Sequence, residues 1–126
     1  HVQDGTGARA VTTRCNRNKR HRYFIVETVA TFVFVIGIFH IQSSGVELGS
    51  FSALPVALLV AGIGFGIGGP TGWAINPARD LGPRIMHFVL PIKGKGPSDW
   101  AYAPIPVFGP VIGGILAAII YVQFLQ

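Results

Sequence analysis

Three long apolar stretches, separated by polar passages, organise most of the chain. Tyr23 to Gln42 (YFIVETVATFVFVIGIFHIQ) supplies about twenty mostly apolar residues, the number one helix needs to cross a hydrocarbon core. Phe51 to Gly69 and Ile105 to Leu125 read the same way. Between the second and third stretches lies a polar, charged passage, Gly72-Trp73-Ala74-Ile75-Asn76-Pro77-Ala78-Arg79-Asp80-Leu81-Gly82-Pro83-Arg84. Asn76 suits a helix N-cap and Pro77 the first helical position, where its missing N–H costs nothing, so the pattern predicts a helix from Asn76 toward Leu90. About fifteen residues rise roughly 22 Å, short of a hydrocarbon core of about 30 Å, so this element is a half-helix. Irregular backbone and a helix start at membrane depth are tolerated only when buried in protein or lining a wet cavity, which makes the passage a candidate pore wall. The predicted fold is an all-α membrane protein with three transmembrane helices and one re-entrant half-helix.

Residues that break the apolar pattern carry the next expectations. Glu27 lies one turn into the first span, where a carboxylate either faces a partner or water inside the protein or snorkels to the interface. Gly62 and Gly66 make one small-xxx-small face, and Gly109, Gly113 and Ala117 another, both suited to close helix contact. Pro55 is tolerable in a first turn, and Pro106 and Pro110 predict bending early in the last span. Gln42 to Ser50 reads as a loop, and Ile92 to Pro104 as an external loop whose Trp100 and Tyr102 are expected to anchor at the interface. His40 reads as an interfacial residue, because no second ligand-type residue is spaced around it.

Composition sharpens the class. Half of the 126 residues are hydrophobic and only 12% are charged, against about 25% in soluble domains. The net charge of +5 belongs to residues 1–22, since Arg9, Arg14, Arg17, Lys19, Arg20 and Arg22 are six of the ten basic residues. That segment lacks apolar periodicity and is expected to be a disordered basic tail ahead of the apolar unit over residues 23–126. Its charge cluster fits a nucleic-acid or anionic-lipid patch or a solvated juxtamembrane cluster; the absence of interleaved aromatics favours the last and argues against nucleic acid. Cys15 is the single cysteine, the histidines are scattered and the acids isolated, so no metal site, cofactor site or catalytic constellation is expected, and an enzyme is unexpected. No secretory signal is recognisable, and a start at His1 rather than Met is most simply explained by a fragment or truncated reading frame.

The passage Asn76-Pro77-Ala78-Arg79-Asp80, with Gly72 before it and Gly82-Pro83-Arg84 after it, resembles the second pore loop of the aquaporin, or major intrinsic protein, family. The Asp after Arg is similar to the glycerol-conducting, aquaglyceroporin branch. The resemblance runs from about Tyr23 to the C-terminus and includes Phe24 to Glu27 and Ile105-Pro106-Val107-Phe108-Gly109-Pro110. Family members carry two related, mutually inverted halves with an Asn-Pro-Ala loop in each, and only the second is present, so the chain resembles the C-terminal half of a channel.

That resemblance implies roles residue by residue. Gly64, Trp73 and Arg79 would form three sides of a selectivity filter, the fourth coming from the absent N-terminal half. Glycerol would meet hydrogen-bond donors on Arg79 and an apolar face on Trp73; many glycerol conductors have Phe or Tyr at the latter position, and the larger ring is expected to narrow the passage. The Asn76 amide would donate to passing oxygens, with Pro77 and Ala78 completing the motif, while the positive helix end and Arg79 repel cations. For Arg79 the plainer alternative is a structural arginine pairing with carbonyls. Glu27 and Asp80 would support the loop, though a first-turn acid such as Asp80 also simply complements the helix dipole. The implied partners are the lipid bilayer, glycerol or a similar small neutral solute, the other half and, when complete, a homotetramer in the plasma membrane. The family places the start of the first span outside, whereas the basic cluster favours a cytoplasmic N-terminus. Two functions follow: a passive channel for glycerol and other small neutral solutes, water and urea among the candidates, or a non-conducting fragment that associates with channel subunits.

Overall fold

A computed structural model describes residues 20–45 and 48–125 of the chain. Of the tail expected to be disordered over residues 1–22, residues 1–19 lie outside the described residues, while Arg20, His21 and Arg22 are helical. Four α-helices form: α1 (Arg20–Ser43), α2 (Leu54–Ile67), α3 (Pro77–Val89) and α4 (Pro104–Ile120), with a 3-10 turn at Gly49–Phe51 and a closing π turn at Tyr121–Leu125. No strand occurs among the described residues. Arg20–Ser43, Gly49–Ile67 and Pro104–Phe124 are each long and apolar enough to cross a membrane. The half-helix α3 has 13 residues, about 20 Å, and is not among them.

Local chemistry sets the boundaries. Helix α1 runs from the first described residue, Arg20, and so includes three residues before Tyr23, among them two arginines, which are good helix formers. At its other end Ser43 and Ser44 hydroxyls donate to the carbonyls of His40 and Ile41, and Gly45 takes φ 66, the left-handed conformation that closes many helices. Helix α2 begins with Pro55 in its first turn and stops where Gly68, Gly69 and Pro70 follow; the Gly68 N–H still donates to the Gly64 carbonyl. Asn76 is extended (φ −153, ψ 123), and its Oδ1 accepts the Ala78 N–H at 2.8 Å, an N-cap followed by proline at the first position.

Helix α1 packs between α2 and α4. Its contact with α4 runs along Gly109, Gly113 and Ala117, the small-residue face that the spacing predicts. A Cβ at Gly113 would come within 2.3 Å of the Thr28 carbonyl oxygen, so the two backbones touch there, and Ala117 is fully buried. On the α2 side, Gly37 accepts the Leu59 side chain. Gly62 and Gly66 differ from expectation: a Cβ on either would meet nothing within 4 Å. The glycines of α2 that are buried are Gly64 and its C-cap Gly68.

Tyr102 also departs from expectation. It is not an interfacial anchor but fully buried, edge-on to Tyr23 at 6.2 Å and beneath the Arg84 guanidinium at 5.6 Å. Trp100 does stand out, 44% exposed and edge-on to Phe88. His40 is exposed, with Nδ1 3.0 Å from the Ile36 carbonyl.

Candidate functional site

The segment between α2 and α3 is held in an unusual backbone. Gly72 (φ 71), Trp73 (φ 42) and Ile75 (φ 41) all take the left-handed region, which glycine enters freely and a β-branched residue such as Ile75 rarely does. Conformations of this kind cost of order 1–3 kcal/mol each and persist only where surroundings hold them. Here the holder is Glu27. Its carboxylate is fully buried in α1, accepting the Ala74 N–H on Oε1 at 3.1 Å and the Ile75 N–H on Oε2 at 2.7 Å. One side chain thus satisfies two adjacent donors that could otherwise bond neither to a helix nor to water. Gly109 of α4 makes room for it, since a Cβ there would sit 3.0 Å from the Glu27 Cβ. The carboxylate therefore turns inward rather than snorkelling.

Four residues along, Arg79 folds back over the same segment. Its Nη1 donates to the Trp73 carbonyl at 2.6 Å and the Gly72 carbonyl at 3.3 Å, and its guanidinium carbon stands 5.7 Å from the centre of the Trp73 ring. The side chain is exposed, and among the described residues its other N–H groups make no hydrogen bond. The carbonyl pairing offered for Arg79 thus occupies one nitrogen, Nη1. Trp73, 37% exposed, lies against Gly64, whose absent Cβ would be 3.2 Å from its Cε2. Gly64, Trp73 and Arg79 are thus neighbours, and Asn76 caps α3 in an exposed position just beyond them. Ala57, Val60, Ala61, Gly64, Phe65 and Trp73 line an open recess of about 260 Å³ beside this cluster.

Asp80 behaves differently from a residue that reaches neighbouring helices. It is buried, and its two oxygens accept from Nε and Nη2 of Arg84, both at 2.8 Å, in a bidentate pair one turn along α3. The link to other parts of the fold runs through Arg84, which is fully buried. Its Nη1 donates to the carbonyls of Ser98 (2.6 Å) and Asp99 (2.9 Å) in the loop between α3 and α4. Sequence reasoning quoted Arg84 only within the motif; the acid and base at i, i+4 were the signal that could have singled it out. The same loop returns two more ties, His87 Nδ1 to Ser98 Oγ at 2.9 Å and Lys95 Nζ to the carbonyls of His87, Phe88 and Leu90. No group of three or more candidate metal-binding side chains occurs among the described residues.

Comparison with known proteins gives this arrangement a context. Residues 3–121 match the major intrinsic protein family, so the match takes in much of the basic segment as well as the helices. The glycerol uptake facilitator protein of Streptococcus pneumoniae is 51% identical over 100 residues, covering 79% of this chain and 42% of the relative. Glycerol uptake facilitator protein 3 of Lactiplantibacillus plantarum is 49% identical over 98 residues (78% and 40%), and the D/L-lactic acid transporter of the same organism is 48% identical over 98 residues (77% and 40%). The chain spans about two-fifths of the length of these curated relatives. No solved structure matches it.

Proposed function

Because this chain belongs to the major intrinsic protein family, we propose that it forms the C-terminal half of a passive channel for glycerol and similar small neutral solutes. The observation that carries the reading is the cluster of Gly64, Trp73 and Arg79: a charged fork with open N–H donors facing an aromatic plate that rests on a bare glycine. A polyol carries hydroxyls along one edge and C–H groups along the other. Arg79 replaces the water lost by the hydroxyls, which matters because an unpaired buried polar group costs about 1–3 kcal/mol. The Trp73 ring receives the carbon edge. Asn76 donates its amide to oxygens passing the start of α3, and with Pro77 and Ala78 it forms the Asn-Pro-Ala motif. Glu27 and the Asp80–Arg84 pair hold the wall in shape. Names among the relatives extend the solute class from glycerol to lactic acid, which would pass in its neutral form; water and urea are smaller candidates.

One observation favours a condition on this reading. Arg79 and Asn76 are exposed beyond their local bonds and Phe65 is 92% exposed, so the described chain leaves this side of the wall open. A second, N-terminal half must close it, and homotetramers of complete subunits in the plasma membrane complete the proposal. Without that half the chain is a non-conducting membrane fragment that associates with channel subunits.

Stopped-flow light scattering under a glycerol gradient tests both. Proteoliposomes carry this chain alone, the chain with a separately supplied N-terminal half from a relative, or the same pair with Arg79→Ala. Flux in the pair that changes in the Arg79 variant supports the channel reading. Flux equal to that of empty vesicles in every sample, with insertion verified, leaves the fragment reading.

A further inference from the structure

The indole of Trp73 does not stand free in the recess beside it. The side-chain atoms that crowd Gly64 and Gly68 are those of its six-membered ring: an added Cβ at Gly64 would lie 3.2 Å from Cε2 and 3.4 Å from Cδ2 and Cζ2, and one at Gly68 would lie 2.3 Å from Cε3 and 3.1 Å from Cδ2, with the Gly64 carbonyl oxygen 2.4 Å away as its other contact. Gly64 and Gly68 are buried and sit one helical turn apart, so together they make a notch the width of that ring. Gly66, between them in sequence, faces open space. Gly68 also holds the segment leading to Trp73 by backbone bonds, donating to the Gly64 carbonyl at 3.1 Å and accepting the Gly72 N–H at 2.7 Å.

We infer that Gly68, which is buried beneath Trp73, is a positioning residue for specificity: with Gly64 it recesses the extra ring of Trp73 into α2 and so preserves the width of the passage. This rests on the channel reading above. A tryptophan in the wall would narrow a path if its ring stood upright; laid into the notch, it presents a flat face under the Arg79 guanidinium. The narrowing expected from ring size alone is thereby offset. The structural part of the inference is independent of conduction: a side chain at position 68 must lift the ring, and one at position 66 must not.

The experiment uses Trp73 as its own reporter. The chain has two tryptophans, so Trp100→Phe leaves Trp73 alone. Acrylamide quenching of its fluorescence in liposomes is compared across Gly68→Ala, Gly64→Ala and Gly66→Ala. Gly68→Ala is expected to raise the quenching constant, by up to about the threefold that separates a fully exposed residue from one that is 37% exposed. Gly64→Ala is expected to raise it less, and Gly66→Ala not at all. Equal quenching in the Gly68 and Gly66 variants overturns the notch; should Gly68→Ala fail to insert, Gly64→Ala against Gly66→Ala decides it. In the paired halves, Gly68→Ala is expected to lower the glycerol-to-water permeability ratio, and adding Trp73→Phe to restore it. A ratio unmoved by Gly68→Ala, or not restored by the smaller ring, overturns the role in specificity. Absence of flux in the unmodified pair counts against the channel reading alone, while quenching still reports on the notch.

Discussion

At the scale of single residues, buried charge is made tolerable by fully occupied hydrogen bonds. Glu27 is the clearest case: a carboxylate in a spanning helix is costly, yet two backbone donors at 3.1 and 2.7 Å use its charge to hold a strained loop. Hydrogen bonds to charged groups contribute about 1.5–3 kcal/mol each, so Glu27→Ala is expected to free the Ala74 and Ile75 amides. Hydrogen exchange at those two amides should accelerate by tenfold or more, since about 1.4 kcal/mol is a factor of ten. Arg84 poses the complementary case. Arg84→Ala strands the buried Asp80 carboxylate, and breaking a buried pair in this way costs about 3–5 kcal/mol. Arg84→Lys restores charge but not the fork, because an ammonium cannot hold two carboxylate oxygens and two loop carbonyls in that geometry. Thermal unfolding in detergent should rank the native chain above the Lys variant and the Lys variant above the Ala variant.

At the scale of elements, what the sequence makes legible is what depends on neighbours along the chain. The three spans, the cap at Asn76, the proline at the start of α3 and the length of that half-helix all follow from local rules. So does the face of Gly109, Gly113 and Ala117, because a period of four places those residues in one row. The choice of glycines in α2 does not follow, since Gly62, Gly64, Gly66 and Gly68 alternate evenly and only the position of Trp73 decides which two are needed. Tyr102 was misread for the same reason: an aromatic in a loop between spans suits an interface, and its burial depends on Arg84, which lies 18 positions earlier and reaches it only in the folded state. Within the candidate site, the resemblance pointed to Glu27 as a support of the loop and the sequence offered carbonyl pairing for Arg79, whereas the hold of Arg84 on Asp80 and on the loop carbonyls depends on residues that only the fold brings together. A prediction belongs to this scale. A Cβ at Gly113 has the α1 backbone 2.3 Å away, whereas one at Gly114 meets nothing within 4 Å. Gly113→Ala should therefore part α1 from α4 and Gly114→Ala should not. Thermal unfolding in detergent should come at a lower temperature in the first variant alone, consistent with the loss of close backbone contact that small residues permit.

At the scale of the whole molecule, the described chain is three helices long and apolar enough to span a membrane and one shorter helix, α3, with Arg79 and Asn76 exposed near its start. Lipid cannot satisfy such groups, and an unsatisfied donor at membrane depth costs several kcal/mol, which is the solvation argument behind the proposed second half. Co-expression with the N-terminal half of a relative is expected to raise the amount of this chain recovered from membranes and to protect Arg79 and Asn76 positions, as cysteine variants, from aqueous thiol reagents. Recovery and labelling unchanged by the partner half would count against that association.

The tie between Lys95 and the end of α3 has an electrical consequence. A helix normally carries about half a positive charge at its start and half a negative charge at its end, and at a distance the two largely cancel. In α3 the ammonium of Lys95 sits on the carbonyls of His87, Phe88 and Leu90, so the negative end is overbalanced. In the first turn, the acid that would mask the positive end, Asp80, is already claimed by Arg84. What remains is a lone positive pole at Asn76: the half-helix behaves as a one-signed source of field aimed along its axis, and a cation approaching Asn76 feels no opposing pole behind it.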